Sequence, residues 1–318
     1  MLTERLHTSK YSIFDRLLAI DFFLIVIVIA IGAISVFAIH STESGEFSYY
    51  TKNHLIRLIS FFVMFLFLSF VKITFWYRNA YIFYIICLFL LIVVLLFGVT
   101  ASGSKRWVNL YFLNLQPSEL MKIAIIVCFA RYYHRIQSAE LQSYRFLLIP
   151  IVLLIIPCYL VVTQPDLGTS ILIAGSGIVV IWIAGLNIKY FVYSGLLFLV
   201  SFPFIVSILK PYQKSRILTF FNPDRDPLGA GYQIIQSKIA IGSGGFFVRS
   251  FFAKLYCFGF ASAVFLYVFV NISMVLGLLP IVGAPLPIMS YGGSSMMAIM
   301  FGLGVAMSCR IYKDTPVN

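Results

Sequence analysis

Acidic residues are scarce in this chain. There are 11 among 318, against 23 lysines and arginines, and charged residues of both signs make up only 11% of the sequence. A globule with so little charge would not stay dissolved in water, and no polar stretch is long enough to fold as a soluble domain of its own. Two-residue alternation is also missing: the apolar runs are continuous, which excludes transmembrane β-strands with a polar lumen face. Cysteine is limited to Cys87, Cys128, Cys158, Cys257 and Cys309, all inside or at the ends of apolar runs. None has metal-ligand spacing, and they read as packing thiols.

What the chain has is apolar length. Hydrophobic residues make up 61% of it, and its mean hydropathy is +0.99. A spanning helix needs roughly 20 apolar residues, because the hydrocarbon core is about 30 Å thick. Such runs recur at about 17–39, 55–75, 80–99, 119–133, 146–163, 169–186, 188–209, 252–279 and 291–310. The expected fold is therefore all-α, a polytopic transmembrane bundle of about nine spans forming a single membrane domain over residues 1–318. The first run is too long for a signal-peptide core and reads as an uncleaved anchor.

A net charge of +12 would suggest nucleic acid in a soluble protein, but its distribution here follows membrane topology, and no nucleic-acid partner is expected. Arg5, Lys10 and Arg16 precede the first run, and Lys72 and Arg78 follow the second. Arg131, Arg135 and Arg145 follow the fourth, Lys189 the sixth, and Arg310 and Lys313 the last. This pattern puts the amino terminus in the cytoplasm and the more unusual polar segments outside.

Those external segments carry the candidate chemistry. After the third run comes a loop from Thr100 with Lys105 and Arg106, then Gln116-Pro117-Ser118-Glu119, opening a span that holds Lys122. Glu119 and Lys122 share a helical face and can pair. Ser118 as a cap and Glu119 at a helix start would be a purely structural reading, but Lys122 would then lie in hydrocarbon unless it faces protein or water. Thr163-Gln164-Pro165-Asp166-Leu167-Gly168 forms a tight external turn, where Asp166 is either a helix N-cap or a ligand for a polar head group. Pro285 to Ser295, with Ser290, Ser294 and Ser295, presents hydroxyls and N–H groups at a helix start. The longest polar stretch, about 210–250, includes Lys214, Arg216, Asn222-Pro223-Asp224-Arg225-Asp226-Pro227, Lys238 and Gly242-Ser243-Gly244-Gly245.

These four segments, in this order and on one side, closely resemble the SEDS family of cell-wall proteins, in particular its RodA branch, whose sister branch is FtsW. The resemblance implies a ten-span protein of the bacterial cytoplasmic membrane, with both termini inside. It implies a peptidoglycan glycosyltransferase that polymerises a lipid-linked disaccharide-pentapeptide precursor outside the membrane. The implied partners are a class B penicillin-binding transpeptidase, the elongation machinery and membrane lipid. The donor's pyrophosphate needs cations, and Arg106, Lys122, Lys214, Arg216 and Lys238 are available, with Gln164, Ser290, Ser294 and Ser295 as further binding groups. No protein-held metal site or cofactor is read from the sequence, so a divalent cation would be one bridged by the substrate pyrophosphate.

One part of the family pattern is missing. Family members continue past the Gly-Ser-Gly-Gly segment for several dozen residues, carry a loop carboxylate regarded as catalytic, and then span the membrane again. Here Gly245 is followed almost at once by Phe246 to Lys254, which resembles the lead-in to the ninth family span. Topology agrees: nine spans starting inside would end outside, yet Arg310 and Lys313 mark an inside end. Either residues 232–248 are forced across the membrane or the late spans are displaced, and an internal deletion is the simplest explanation. An acceptor hydroxyl still needs a base. Of the external acids Glu43, Glu46, Glu119, Asp166, Asp224 and Asp226, the resemblance favours Asp166 and Glu119 as catalytic. A non-catalytic scaffold binding the transpeptidase, and a precursor flippase using Asp21, Lys122 and kinks at Pro157 or Pro203, are the alternatives.

Overall fold

The structure, a computed structural model, describes residues 16–43 except 18, 47–101, 104–109, 114–136, 145–187 except 165, 251–275, 288–289 and 293–312, with short pieces at 189–193, 195–196 and 200–201. The described residues form eight long helices: α1 (Phe22–Thr42), α2 (Tyr49–Ser69), α3 (Ile73–Phe97), α4 (Pro117–His134), α5 (Arg145–Thr163), α6 (Leu167–Ile183), α7 (Phe251–Val275) and α8 (Gly293–Ile311). Six of these are long and apolar enough to cross a membrane by themselves. The chain is a multi-pass membrane protein.

The boundaries of the second and third helices differ from the sequence reading. The second helix starts at Tyr49, not near 55, and ends at Ser69, and the third starts at Ile73, not near 80. Polar residues such as Lys52 and His54 read as loop, but the backbone N–H groups of Tyr50 and Thr51 are held by the Glu43 carboxylate, which lets the helix begin among them. The real break is at Phe70 to Lys72, and Arg78 lies inside α3.

The bundle also holds a small sheet that an all-α reading omits. Strands β1 (Val99–Ala101), β2 (Ser104–Asn109) and β3 (Asn114–Leu115) pair antiparallel in that order, with Ala101 opposite Ser104 and Val108 opposite Leu115. A short hairpin here satisfies backbone groups at the end of the bundle and carries Arg106 back over the helices.

Helix α4 is the centre of the packing. Ile125 to Ala130 are entirely buried, and α3, α5, α6, α7 and α8 all lie against it. That enclosure explains how a helix with Glu119 and Lys122 sits in a membrane protein: both are buried against protein, while Arg131 lies half-buried in the last turn. Helices α6 and α7 pack closely and antiparallel, with Gly259 of α7 against Val180 and Gly175 of α6 against Leu266. A Cβ at Gly259 would come within 2.5 Å of the Val180 side chain, so only glycine permits this approach.

Helix directions follow from contacts at the two ends. At one end, Asp21 opens α1 beside Arg310 at the close of α8; Ser308 donates to the carbonyl of Val71, between α2 and α3; and the Phe252 N–H of α7 donates to His134 of α4. At the opposite end lie the sheet, the α5 to α6 turn and the start of α8. The chain therefore enters α1 and leaves α8 at the same end. The end of α6 and the start of α7 also share that end, so residues 184–250 return to the side they leave. The two late helices are thus not displaced: α7 starts and α8 ends at the end where α1 begins. The span expected at 188–209 and the loop at about 210–250 lie largely or wholly outside the described residues.

Helix α5 contains Pro150 and Pro157. Pro157 has no N–H for the carbonyl of Leu153, and the Tyr84 hydroxyl of α3 fills that place at 2.8 Å.

Candidate active site

The site lies at the sheet end of the bundle, where α4, α6 and α7 meet the hairpin. Pro117 occupies the first turn of α4, where its missing N–H costs nothing. The cap position is Gln116, not the Ser118 of the purely structural reading, and the Gln116 side chain does not cap. It reaches across instead, donating from Nε2 to Oδ2 of Asp166 at 3.1 Å.

Asp166 is the helix N-cap, and its second oxygen is held by other side chains of the protein. Its Oδ1 accepts from the Thr169 N–H at 3.2 Å, capping α6. Its Oδ2 takes Gln116 and, at 3.5 Å, the Arg106 guanidinium from β2. Asp166 is 4% exposed, while the Arg106 side chain keeps 22% of its surface. The helix cap thus fixes one oxygen and leaves the other to hold a cation that can be reached from outside.

One turn into α4, Lys122 Nζ lies 3.0 Å from both carboxylate oxygens of Glu119. Both residues are buried, and a charged pair so enclosed persists only if its remaining hydrogen-bonding capacity is met. Tyr267 of α7 meets it. Its hydroxyl donates to Glu119, 3.2 Å from Oε2, and its ring lies under the Lys122 ammonium, with Nζ 3.8 Å from the ring centre.

The structure therefore brings Arg106, Glu119, Lys122 and Asp166 into one polar cluster and adds Gln116 and Tyr267, which sequence reasoning missed. A tyrosine within an apolar span needs a hydroxyl partner, and that was the available signal for Tyr267. Gln164 is buried beside the cluster, its amide donating to the Leu91 carbonyl of α3 at 2.9 Å, so it ties the turn to the bundle. Ser294 and Ser295 are buried in the first turn of α8, which packs against β3 and α4. Ser290, Lys214, Arg216 and Lys238 lie outside the described residues, as do Asp224 and Asp226. Among the described residues no three His, Cys, Asp or Glu side chains group as a metal site.

Chemically, the cluster balances two cations against two carboxylates in a buried setting. Every oxygen of Glu119 and Asp166 already accepts a hydrogen bond, so taking a proton from a substrate requires giving one up. An anion reaching Arg106 or Lys122 competes with a carboxylate for it.

The family model FTSW_RODA_SPOVE, described as a cell cycle protein, matches residues 15–251 and 247–315. The chain belongs to this family. The peptidoglycan glycosyltransferase MrdB of Escherichia coli (strain K12) is 35% identical over 287 residues, covering 72% of this chain and 77% of that protein. Stage V sporulation protein E of Bacillus subtilis (strain 168) is 31% identical over 287 residues, covering 72% and 78%. The solved structure "Structural coordination of polymerization and crosslinking by a peptidoglycan synthase complex" contains a chain that is 28% identical, with a TM-score of 0.80, covering 94% of this chain and 100% of that one. The Thermus thermophilus rod shape determining protein RodA shares the fold at a TM-score of 0.69 and 22% identity, covering 93% and 98%.

Proposed function

We propose that this chain is a peptidoglycan glycosyltransferase of the RodA type, polymerising a lipid-linked disaccharide-pentapeptide precursor into glycan strands. The observation that carries the reading is the buried Arg106, Glu119, Lys122, Asp166 cluster at one end of the bundle, in a chain 35% identical to a peptidoglycan glycosyltransferase. Arg106 and Lys122 receive the donor pyrophosphate, and a divalent cation, where one takes part, travels with those phosphates. Asp166 and Glu119 are the acids nearest that position, and Asp166, with one oxygen committed to the helix cap and the other shared, is the better placed to exchange a partner for an acceptor hydroxyl. The cluster end is the outer face and the Arg310 end the cytoplasmic one, in keeping with the basic residues Arg16, Lys72, Arg131, Arg135 and Arg310 at the latter.

The reading includes a shortened loop after Gly245. Two observations support it: the family matches meet at residues 247–251, and the alignment to the Escherichia coli relative runs over 287 positions while covering only 72% of 318 residues, so dozens of its positions have no residue here. The class B transpeptidase and the elongation machinery are its proposed partners.

A flippase path is less well served. The Leu153 carbonyl that Pro157 leaves without its helical donor already accepts from Tyr84, Asp21 is engaged by Arg310, and Pro203 lies outside the described residues. The test is complementation in a rod-shaped bacterium depleted of its own RodA-type protein. Restored rod shape is the expected result. Spheres, with the chain inserted and bound to the transpeptidase, would favour the scaffold reading.

A further inference from the structure

Lys122 faces a difficulty as a phosphate ligand. Two of its three ammonium protons have acceptors in Glu119 and the third faces the Tyr267 ring, so binding an anion means leaving Glu119. Glu119 is 2% exposed, and a carboxylate left there without a partner carries a heavy desolvation penalty. The Tyr267 hydroxyl lies 3.2 and 3.3 Å from the two Glu119 oxygens and is the one uncharged side-chain donor the structure places on that carboxylate among the described residues. Its backbone sits on α7, separate from the turn that carries Glu119 and Lys122, so it stays in place when Lys122 turns.

We propose that Tyr267 is a positioning residue for glycosyl transfer, the partner that holds Glu119 while Lys122 turns from it to the pyrophosphate of the donor. The ring and the hydroxyl have separate tasks. The ring keeps the ammonium beside Glu119, and the hydroxyl lowers the free-energy cost of its release from that carboxylate. This role rests on the glycosyltransferase reading and deepens it, since it assigns the donor's phosphates to Lys122 by way of a residue on the far side of the loop junction.

Tyr267→Phe separates the two tasks, because it keeps the ring and removes the donor. The experiment is strand synthesis from lipid-linked precursor by the full chain with its transpeptidase, measured over precursor concentration for wild type, Tyr267→Phe and Tyr267→Leu. With the hydroxyl worth one bond to a charged group, KM for precursor rises about tenfold to about a hundredfold in Tyr267→Phe, with kcat changed far less. In Tyr267→Leu both kcat and KM suffer. A Phe variant with wild-type KM would overturn the proposal while leaving the glycosyltransferase reading intact. Equal losses in kcat and KM for Phe and Leu would mark Tyr267 as merely structural and overturn it too. Wild-type chain that makes no strands, with an active relative as control, would remove the enzymatic reading and the proposal together.

Discussion

Arg310, in the last turn of α8, is ion-paired with Asp21, the residue that caps α1. The final described helix therefore ends beside the beginning of the first. Reporter fusions before Arg16 and after Tyr312 should accordingly give signals on the same side of the membrane, the cytoplasm. Opposite signals would break the helix directions derived above.

The Glu119 and Lys122 pair should behave as a buried charge pair. Lys122→Met leaves Glu119 with only the Tyr267 hydroxyl and should cost about 3–5 kcal/mol of stability. Glu119→Gln combined with Lys122→Met removes both charges and should recover most of that loss. Thermal unfolding of the purified variants in one detergent measures both, and a double variant no better than the single would show that the pair is not coupled.

Asp166 lends itself to separating cap from chemistry. Asn caps helices as well as Asp, so Asp166→Asn should hold α6 and lose less than about 1 kcal/mol, whereas Asp166→Ala should lose about 1 kcal/mol or more. Both should fail in strand synthesis, since both lose the negative charge opposite Arg106. An active Asn variant would reduce Asp166 to a helix cap.

Glu43 offers a pH test away from the site. Hydrogen bonds from the Ser48 and Thr51 hydroxyls and from the Thr51 and Tyr50 N–H groups hold its carboxyl down to about 2 from an ordinary 4.5. A depressed value means the contribution to the α1 to α2 connection is fully present above about 4.5 and lost as pH falls through about 2. Hydrogen exchange at the Tyr50 and Thr51 amides should be unchanged from neutral pH to pH 5, apart from the intrinsic rate, and lose protection only as acid approaches the lower value. A Glu43→Ala variant should lack that protection at every pH.

Much of this was legible in the sequence for a physical reason. Continuous apolar length sets helix count, and the three-residue spacing of Glu119 and Lys122 places them on one face, as found. Asp166 as a cap was one of the two readings its turn allowed. What escaped were relations between distant segments. Nothing local says that Gln116 reaches Asp166 instead of capping, or that Tyr267, 148 positions beyond Glu119, supplies that carboxylate's second side-chain donor. The second helix was placed late because its polar start gains its bonds from Glu43, across a connection whose folding back is a tertiary event. The sheet at 99–115 escaped because its strands are too short for periodicity to register.

The most direct test is strand synthesis from purified lipid-linked precursor by this chain together with a class B transpeptidase, run beside Asp166→Asn and an active relative. Polymer from the wild-type chain and none from the variant is the expected result, and would place the chemistry in the Arg106, Glu119, Lys122 and Asp166 cluster. No polymer from a properly inserted wild-type chain, with the relative active, would contradict it and leave binding as the remaining role.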